Sequence, residues 1–457
     1  MKGSLTLTKE ERMLNGNLFK AILIFSLPLM LSNLLQVLFN MCDLAIVGKF
    51  GSSIALGAVG STVMLISLYL GFIMGIGNGV NVFVGRYVGC KDFARVKKVI
   101  HSGFFVSIVF GVLLSIIAIS SSFFVLKLLG TKDELISDAY LYCSIYFIGI
   151  PAMTIYNYGN GTLSAVGETK KPLIFLIIAG VLNLLLNLLF VIVFKMGVAG
   201  VATATVISQY VSACCIIITL LLTKGAHKLV FKNSKIDKRS IKEILSVGLA
   251  SGVQYSIFAI ANMFIQSGIN SFDHITVEGI SAATNADSFI YESMYAIYAA
   301  CTSFISINYG ASNKKRIKES FYITTLYSFL IGLIFGFLLF IFGKEFLYCF
   351  TNDDIVVEAG LKRIRIMAFA YAISAFMDNT TAASRGLGKT FIPTIIVIIG
   401  SCIFRILWLY TVFYHWHTIE SLYLLYPISW IITAIVEIIY FIHIYRKETA
   451  LIKSLAN

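Results

Sequence analysis

Apolar residues fall in runs of about twenty along almost the whole chain, separated by short polar turns. Crossing a bilayer core takes about 20 apolar residues in a helix. The pattern predicts twelve spans, at 20–47, 54–80, 97–122, 138–161, 172–194, 199–222, 241–270, 279–306, 317–343, 362–382, 391–414 and 420–444. Polar residues interrupt these runs at helical spacing. In the first span Asn33, Gln36, Asn40 and Asp43 recur at i, i+3, i+7 and i+10, one face of a helix. The fifth span stacks Asn183 over Asn187, and the sixth aligns Thr205, Ser208, Gln209 and Ser212. Asn157 adds an amide from the fourth. The later spans carry their own stripes: Gln254, Asn262, Gln266 and Asn270; Asp287, Tyr291, Tyr295 and Tyr298; Tyr371, Ser374, Asp378 and Thr381; and Thr433, Glu437 and Tyr440. Arg405 is the basic residue set deepest in a span. Lipid offers these groups no hydrogen bonds, so they are expected to face other helices or a cavity. Pro28, inside the first span, is expected to let that helix bend.

The chain also repeats itself. RYVGCKDFARVKK at 86–98 and INYGASNKKRIKE at 307–319 place Gly89 and Gly310, and Arg95 and Arg316, at one offset of 221 residues. Gly167 with Pro172 matches Gly388 with Pro393 at the same offset, and Lys20-Ala-Ile-Leu is echoed by Lys242-Glu-Ile-Leu. A fixed offset means one supersecondary unit used twice. Each copy holds six spans, so the two run parallel. The predicted fold is all-α and integral to the membrane, with twelve transmembrane helices in two six-helix lobes related by a pseudo-two-fold along the membrane normal, in a V. The expected divisions are an N-terminal segment 1–19, an N-lobe 20–222, a basic linker 223–240, a C-lobe 241–445 and a tail 446–457.

Composition agrees with the pattern. Of 457 residues, 58% are hydrophobic and 13% charged, with a mean hydropathy of +0.87; a soluble domain carries about 25% charged residues. The net charge of +13 would suit a nucleic-acid binder, but its distribution assigns it to topology. Counting the N-terminus, 86–98, 170–171, 224–242, 314–318, 385–389 and the tail, 27 of the 36 Lys and Arg residues lie on one side of the predicted membrane. The positive-inside rule makes that side, and both termini, cytoplasmic. Lys362, Arg363 and Arg365 fall on the opposite side. No nucleic-acid partner is expected, and the chain is expected to work as a monomer in the cell's inner membrane. The eight cysteines have neither metal nor disulfide spacing. The first apolar stretch is too long for a cleaved signal and is expected to be the first span.

The candidate chemistry is transport. A lone Asn, Ser or Thr inside a membrane helix is usually interhelical glue, but an ionised carboxylate at the helix centre costs about 2.5–3.5 kcal/mol even on a lenient scale. Asp43 ends a four-residue polar stripe and is the leading candidate. A carboxylate removed from water can take up and release H⁺, or gather Na⁺ with amide and hydroxyl oxygens, as the cavity opens to either side. Asp43, Asp287, Glu292, Asp378 and Glu437 against Arg405 give the interior a negative bias that favours cationic solutes. No cofactor is expected, and no metal other than Na⁺ in the coupling role. Gly386-Leu-Gly-Lys-Thr390 resembles the end of a phosphate loop, but the upstream glycine position is Ala383 and no strand precedes it. His415 and His417 are expected to be exposed in an outer loop. No reactive constellation suggests an enzyme.

These features together resemble the multidrug and toxic compound extrusion (MATE) family, in a branch similar to bacterial DinF-like members. The resemblance covers about 15–445. It rests on Asp43-x-x-x-Val47-Gly48 with a turn at Gly51, Gly85-Arg86-Tyr87-x-Gly89, Gly167-Glu-Thr-x-x-Pro172 and Gly197-Val-Ala-Gly-Val-Ala-Thr-Ala-Thr205. In the second half it rests on Gln266-x-x-Ile-Asn270, Asp287-Ser-Phe, Asn308-x-Gly310-Ala311 and Arg385-Gly-Leu-Gly388 with Pro393. The resemblance implies export of drugs or toxic, cationic compounds by antiport against H⁺ or Na⁺. It implies a first-lobe cation site made of Asp43, Asn183, Asn187 and Thr205. The chain departs from the family at Asn187, where Asp is common, and at Ser306-Ile307-Asn308, where many members have Gly-Gln-Asn. Asn33, Gln36, Asn40, Asn157 and Gln209 are expected to line the N-lobe cavity, and Gln254, Asn262, Gln266, Asp287, Tyr291, Asp378 and Arg405 the C-lobe cavity. The alternatives are a lipid-linked saccharide flippase of the same superfamily and, less favoured, an ion channel or membrane-embedded enzyme.

Overall fold

The structure, a computed structural model, describes residues 8–50, 53–231 and 236–456. The expected turn at Gly51, and Lys232 and Lys235 of the expected linker, lie outside the described residues. A short helix α1 (Lys9–Asn15) precedes α2 (Leu18–Phe50), α3 (Ser53–Gly89), α4 (Phe93–Leu128), α5 (Asp133–Phe147) and α6 (Ile150–Ala165). Next come α7 (Lys170–Leu188), α8 (Gly197–Leu222), α9 (Lys238–Ile269), α10 (His274–Gly310), α11 (Lys314–Tyr348) and α12 (Asp354–Gly386). The last segments are α13 (Phe391–Val397), α14 (Phe404–Trp408), α15 (Tyr414–Trp416), α16 (Ile419–Tyr423) and α17 (Leu425–Ala456).

Every predicted span falls on helix. Among the described residues, nine helices are long and apolar enough to cross a membrane, and α5 with α6, bent by 45°, makes a tenth. The other two expected spans are α10 and α12. They are 37 and 33 residues long, so length is not what separates them from the rest. They carry the Asp287 and Asp378 stripes, and polar residues lower their apolarity. Both pack into helices of their own unit, where Ala283, Ala300, Tyr371 and Ala375 have no exposed surface.

The repeat shows in local geometry. Lys91 and Ser312 both take left-handed φ, +59° and +58°, and the next residues, Asp92 and Asn313, cap the following helices by accepting from the backbone N–H of Arg95 and Arg316. Gly167 and Gly388 likewise sit at φ +82° and +74°, where a side chain would be strained. π-helical turns occur at Leu189–Val193, after α7, and at Leu409–Phe413, in the matching helix of the second copy. A further π-turn, Ile398–Ile403, precedes Arg405. Such turns recur at functional sites.

The chain forms two compact units, residues 31–256 and residues 1–30 with 257–457. The sequence-based lobes begin in the first turn of their first helices, at 20 and 241; the units instead divide midway along α2 and α9. The reason is local packing. In the 31–256 unit the start of α9 lies tightly against α3: a Cβ on Gly75 would stand 2.2 Å from the Gly248 carbonyl oxygen, and one on Gly79 2.3 Å from that of Ile244. Only glycine permits such an approach. The same end is tied by Arg95 Nη1 donating to Asp237 at 3.0 Å and Tyr87 donating to Glu243 at 2.8 Å. In the other unit, Arg316 donates to the carbonyls of Gly16 and Met13, both at 3.0 Å. Phe25 of α2 meets Phe304 of α10 edge to face at 5.5 Å.

Candidate functional site

Two polar centres stand out, one in each unit. In the 31–256 unit the second part of α2 packs against α7. Gly180 makes room for the Phe39 ring, from which a Cβ would stand 1.9 Å. One and two turns beyond lie Asn183 and Asn187, and Asn187 reaches the buried carboxylate of Asp43. Asn187 Nδ2 donates to Asp43 Oδ1 at 2.5 Å and to Asn183 Oδ1 at 3.2 Å. Thr205, from α8, donates to Asp43 Oδ2 at 3.4 Å and receives Asn183 Nδ2 at 3.2 Å. Its hydroxyl also lies 3.0 Å from the Val201 carbonyl of its own helix, so the contact to Asp43 is the weaker of its bonds. The four residues that the resemblance names are thus one hydrogen-bonded cluster. Asp43 is 9% exposed and Asn187 fully buried, yet no cation partners the acid among the described residues. Asn187 Oδ1 is buried without a hydrogen-bond partner. Tyr142 and Tyr146 of α5 lie within electrostatic reach of Asp43.

The other unit arranges its carboxylate differently. Asp287 of α10 accepts two parallel bonds from Arg363 of α12, at 3.1 and 2.6 Å, and a third from the Tyr371 hydroxyl. Bidentate guanidinium–carboxylate geometry is the strong, orienting form of the ion pair. Arg363 is 2% exposed and its guanidinium lies 4.9 Å over the Tyr423 ring. Nearby, Arg405 is held among Tyr426, Phe258 and Trp430, at 4.5, 5.6 and 5.7 Å from their ring centres, and donates to Ser429 at 3.1 Å. Tyr291 joins the two clusters, edge-on to Tyr371 at 5.6 Å and to Trp430 at 6.2 Å.

Two stretches, 28–189 and 249–411, each match the family model described as MatE, one per sequence repeat and together well over half of the chain. That decides the identity. The chain belongs to the MatE family. The probable multidrug resistance protein YpnP of Bacillus subtilis (strain 168) is 31% identical over 362 residues, 78% of this chain and 80% of that protein. Among solved structures, one titled as the outward-facing conformation of a multidrug resistance MATE family transporter of the MOP superfamily matches with a TM-score of 0.89 at 22% identity, over 98% of this chain and 100% of that one. A MOP superfamily transporter from Pyrococcus furiosus, whose title reports a reversed polarity of its binding pocket, matches equally well, at 22% identity over 98% of this chain and 99% of its own. These structures share the fold. Family membership makes this chain a multi-pass membrane transporter rather than an enzyme.

Within this MatE chain the other expected lining residues separate. Asn33 is half-buried, Gln36 and Asn40 are exposed, and Gln36 reaches only the Ser32 carbonyl, at 3.5 Å. Asn157 donates to the Met153 carbonyl of its own helix at 2.9 Å. Gln209 keeps a buried, unpartnered Oε1. Gln254, expected in the C-lobe, belongs to the same compact unit as Asp43, because the start of α9 packs there; its Oε1 is also buried and unpartnered. Asn262 is exposed, and Gln266 bonds Asn270 along α9 at 2.9 Å. Pro28 is buried within α2, which continues as one helix past it, two residues before the units divide. The Gly386 turn is packed against Ile305 of α10, so it is a close helix contact and not a phosphate loop. Arg363 is the residue the sequence reading missed. The sequence reading puts it at the very start of a span, 362–382; α12 begins at Asp354, so the guanidinium lies more than two turns inside a helix. A signal was present, since three basic residues on the wrong side of the membrane want a buried partner.

Proposed function

We propose that this MatE transporter is an efflux antiporter of the inner membrane, exporting cationic, drug-like compounds in exchange for H⁺. The Asp43 cluster carries the reading: a buried carboxylate whose side-chain partners are all neutral can change its charge, or its ligand, without breaking an ion pair. The names of relatives support export, YpnP as a probable multidrug resistance protein and MepA of Staphylococcus aureus as a multidrug export protein. The charge distribution supports cytoplasmic termini, and a single chain carries both repeats, which supports a monomer.

Two observations favour H⁺ over Na⁺. The site has one carboxylate, since Asn187 stands where Asp is common. Asn187 also turns its amide donor, not its oxygen, toward Asp43, whereas Na⁺ wants converging oxygens. The preference for cationic solutes rests on Asp43 more than on the total of buried acids, because Arg363 matches Asp287.

Transport of ethidium into proteoliposomes under a separately imposed H⁺ or Na⁺ gradient tests this. Wild type should accumulate the dye against its gradient with H⁺ and not with Na⁺. Asp43→Asn should lose uphill transport by at least tenfold while still binding the dye. An Asp43→Asn variant that pumps at the normal rate overturns the assignment, and a Na⁺-driven wild type overturns the choice of ion.

A further inference from the structure

A polar ladder runs along one face of α17. Ser429, Thr433 and Glu437 follow one another a turn apart, and none has exposed surface. Arg405 Nε donates to Ser429. The Thr433 hydroxyl donates to the Ser429 carbonyl at 2.7 Å and lies 3.1 Å from that of Ser401. Ser401 in turn touches Met377 Sδ at 3.4 Å, which brings the ladder against α12 beside Asp378. Each rung is satisfied until the last. Both carboxylate oxygens of Glu437 are buried without a hydrogen-bond partner among the described residues.

That is not how this unit holds its structural acids. Asp287 has Arg363 and Tyr371, and Glu448 has Tyr309 at 2.5 Å and Lys389 at 3.0 Å. In this conformation an ionised carboxylate at Glu437 would have neither a donor among the described residues nor exposure to solvent, an arrangement proteins avoid; a bound proton removes the charge and leaves the packing unchanged. The groups around it are suited to a proton that comes and goes. Asp378, half-exposed, and Arg385 act on it from α12. Tyr440 follows on its own helix, and Cys402 and Arg405 lie on the neighbouring Phe391–Trp416 helix.

We propose that Glu437 is a second proton-binding site of the transporter, separate from Asp43, occupied in this conformation and emptied through Asp378 when solute binds. The exchange balances simply: the carboxylic acid releases H⁺ to Asp378 and from there to water, and the carboxylate left behind is within electrostatic reach of Arg385. The proposal rests on the reading of the protein as a proton-driven antiporter.

The test is the pH dependence of ethidium binding to the purified full chain in nanodiscs, followed by dye fluorescence. Each proton that the cation displaces makes Kd change tenfold per pH unit in the steep part of the profile, with affinity rising as pH rises. Wild type should approach a hundredfold per unit, Glu437→Gln and Asp43→Asn tenfold each, and the double variant should be flat. Glu437→Gln, which keeps the shape of the protonated acid, should bind dye as wild type does at low pH and more weakly than wild type as pH rises. Glu437→Met, without any amide, should give the same reduced slope. A Glu437→Gln profile with the wild-type slope, alongside a reduced Asp43→Asn slope, overturns the second site and leaves the antiport reading standing. A flat wild-type profile overturns both.

Discussion

Asp43 and Asp287 are carboxylates inside helices of the two units, one in each, and they are held in opposite ways. Asp43 meets an amide and a hydroxyl; Asp287 meets a bidentate guanidinium and a phenol. An acid among neutral donors can gain or lose a charge at moderate cost. An acid clamped by Arg363 cannot change its charge without stranding a buried cation. The comparison separates a group suited to cycling from one suited to holding α10 against α12. It also shows that counting acids in spans overstates the negative charge of the interior.

Breaking the clamp should have the largest effect. Arg363→Met leaves Asp287 with one donor and should cost about 3 kcal/mol of stability, the lower end for a buried pair because Asp287 keeps some exposure. Adding Asp287→Asn should restore most of it, and thermal unfolding in detergent reads both. If the single variant is as stable as wild type, the two carboxylates are not held differently and the comparison fails. Asn187→Ala removes the donor to Asp43 and should cost about 1–2 kcal/mol in the same assay. Asp43→Asn should change stability by less than about 1 kcal/mol, since no cation is stranded, while abolishing coupled transport. Thr205→Val, whose contact to Asp43 is long, should cost about 0.6 kcal/mol, near the mean for a hydrogen bond inside a membrane protein.

The smallest effect should come from a third carboxylate, at the surface. The Ser240 hydroxyl and backbone N–H, with help from Arg95, hold the Asp237 carboxyl below its ordinary range. A depressed acid stabilises the fold above its unfolded value, near pH 3.9, and loses that contribution as pH falls through the folded one. The difference in melting temperature between wild type and Asp237→Asn should therefore be constant near neutrality and shrink below about pH 4.

Much of this was legible in the sequence. Apolar runs gave the helices because the bilayer fixes their length, and the 221-residue offset reappeared as paired left-handed residues and helix caps. The residues of the Asp43 cluster lie at helical spacing on three helices, and the family resemblance named which of them to join. The partners of Asp287 were not legible, since Arg363 and Tyr371 lie 76 and 84 positions away and no periodicity links α10 to α12. Gln254, expected in the C-lobe, groups with the 31–256 unit because the start of α9 packs by its glycines against α3, which a span boundary read from hydropathy does not show. The exposure of Gln36 and Asn40 marks the same limit: periodicity finds a face, but packing decides what the face meets.

The ion pair between α10 and α12 also bears on how the chain is made. Helices leave the ribosome in order, and α11 lies between the two. Entering lipid alone, α10 brings Asp287 and α12 brings Arg363, each an unfavourable passenger for the insertion machinery, and both helices are less apolar than their neighbours. Together the two side chains cancel most of that burden. The Asp287–Arg363 bond therefore favours a delayed, joint release of α10 and α12 into the bilayer, and a glycosylation reporter after α10 should read as correctly placed only once α12 has been synthesised.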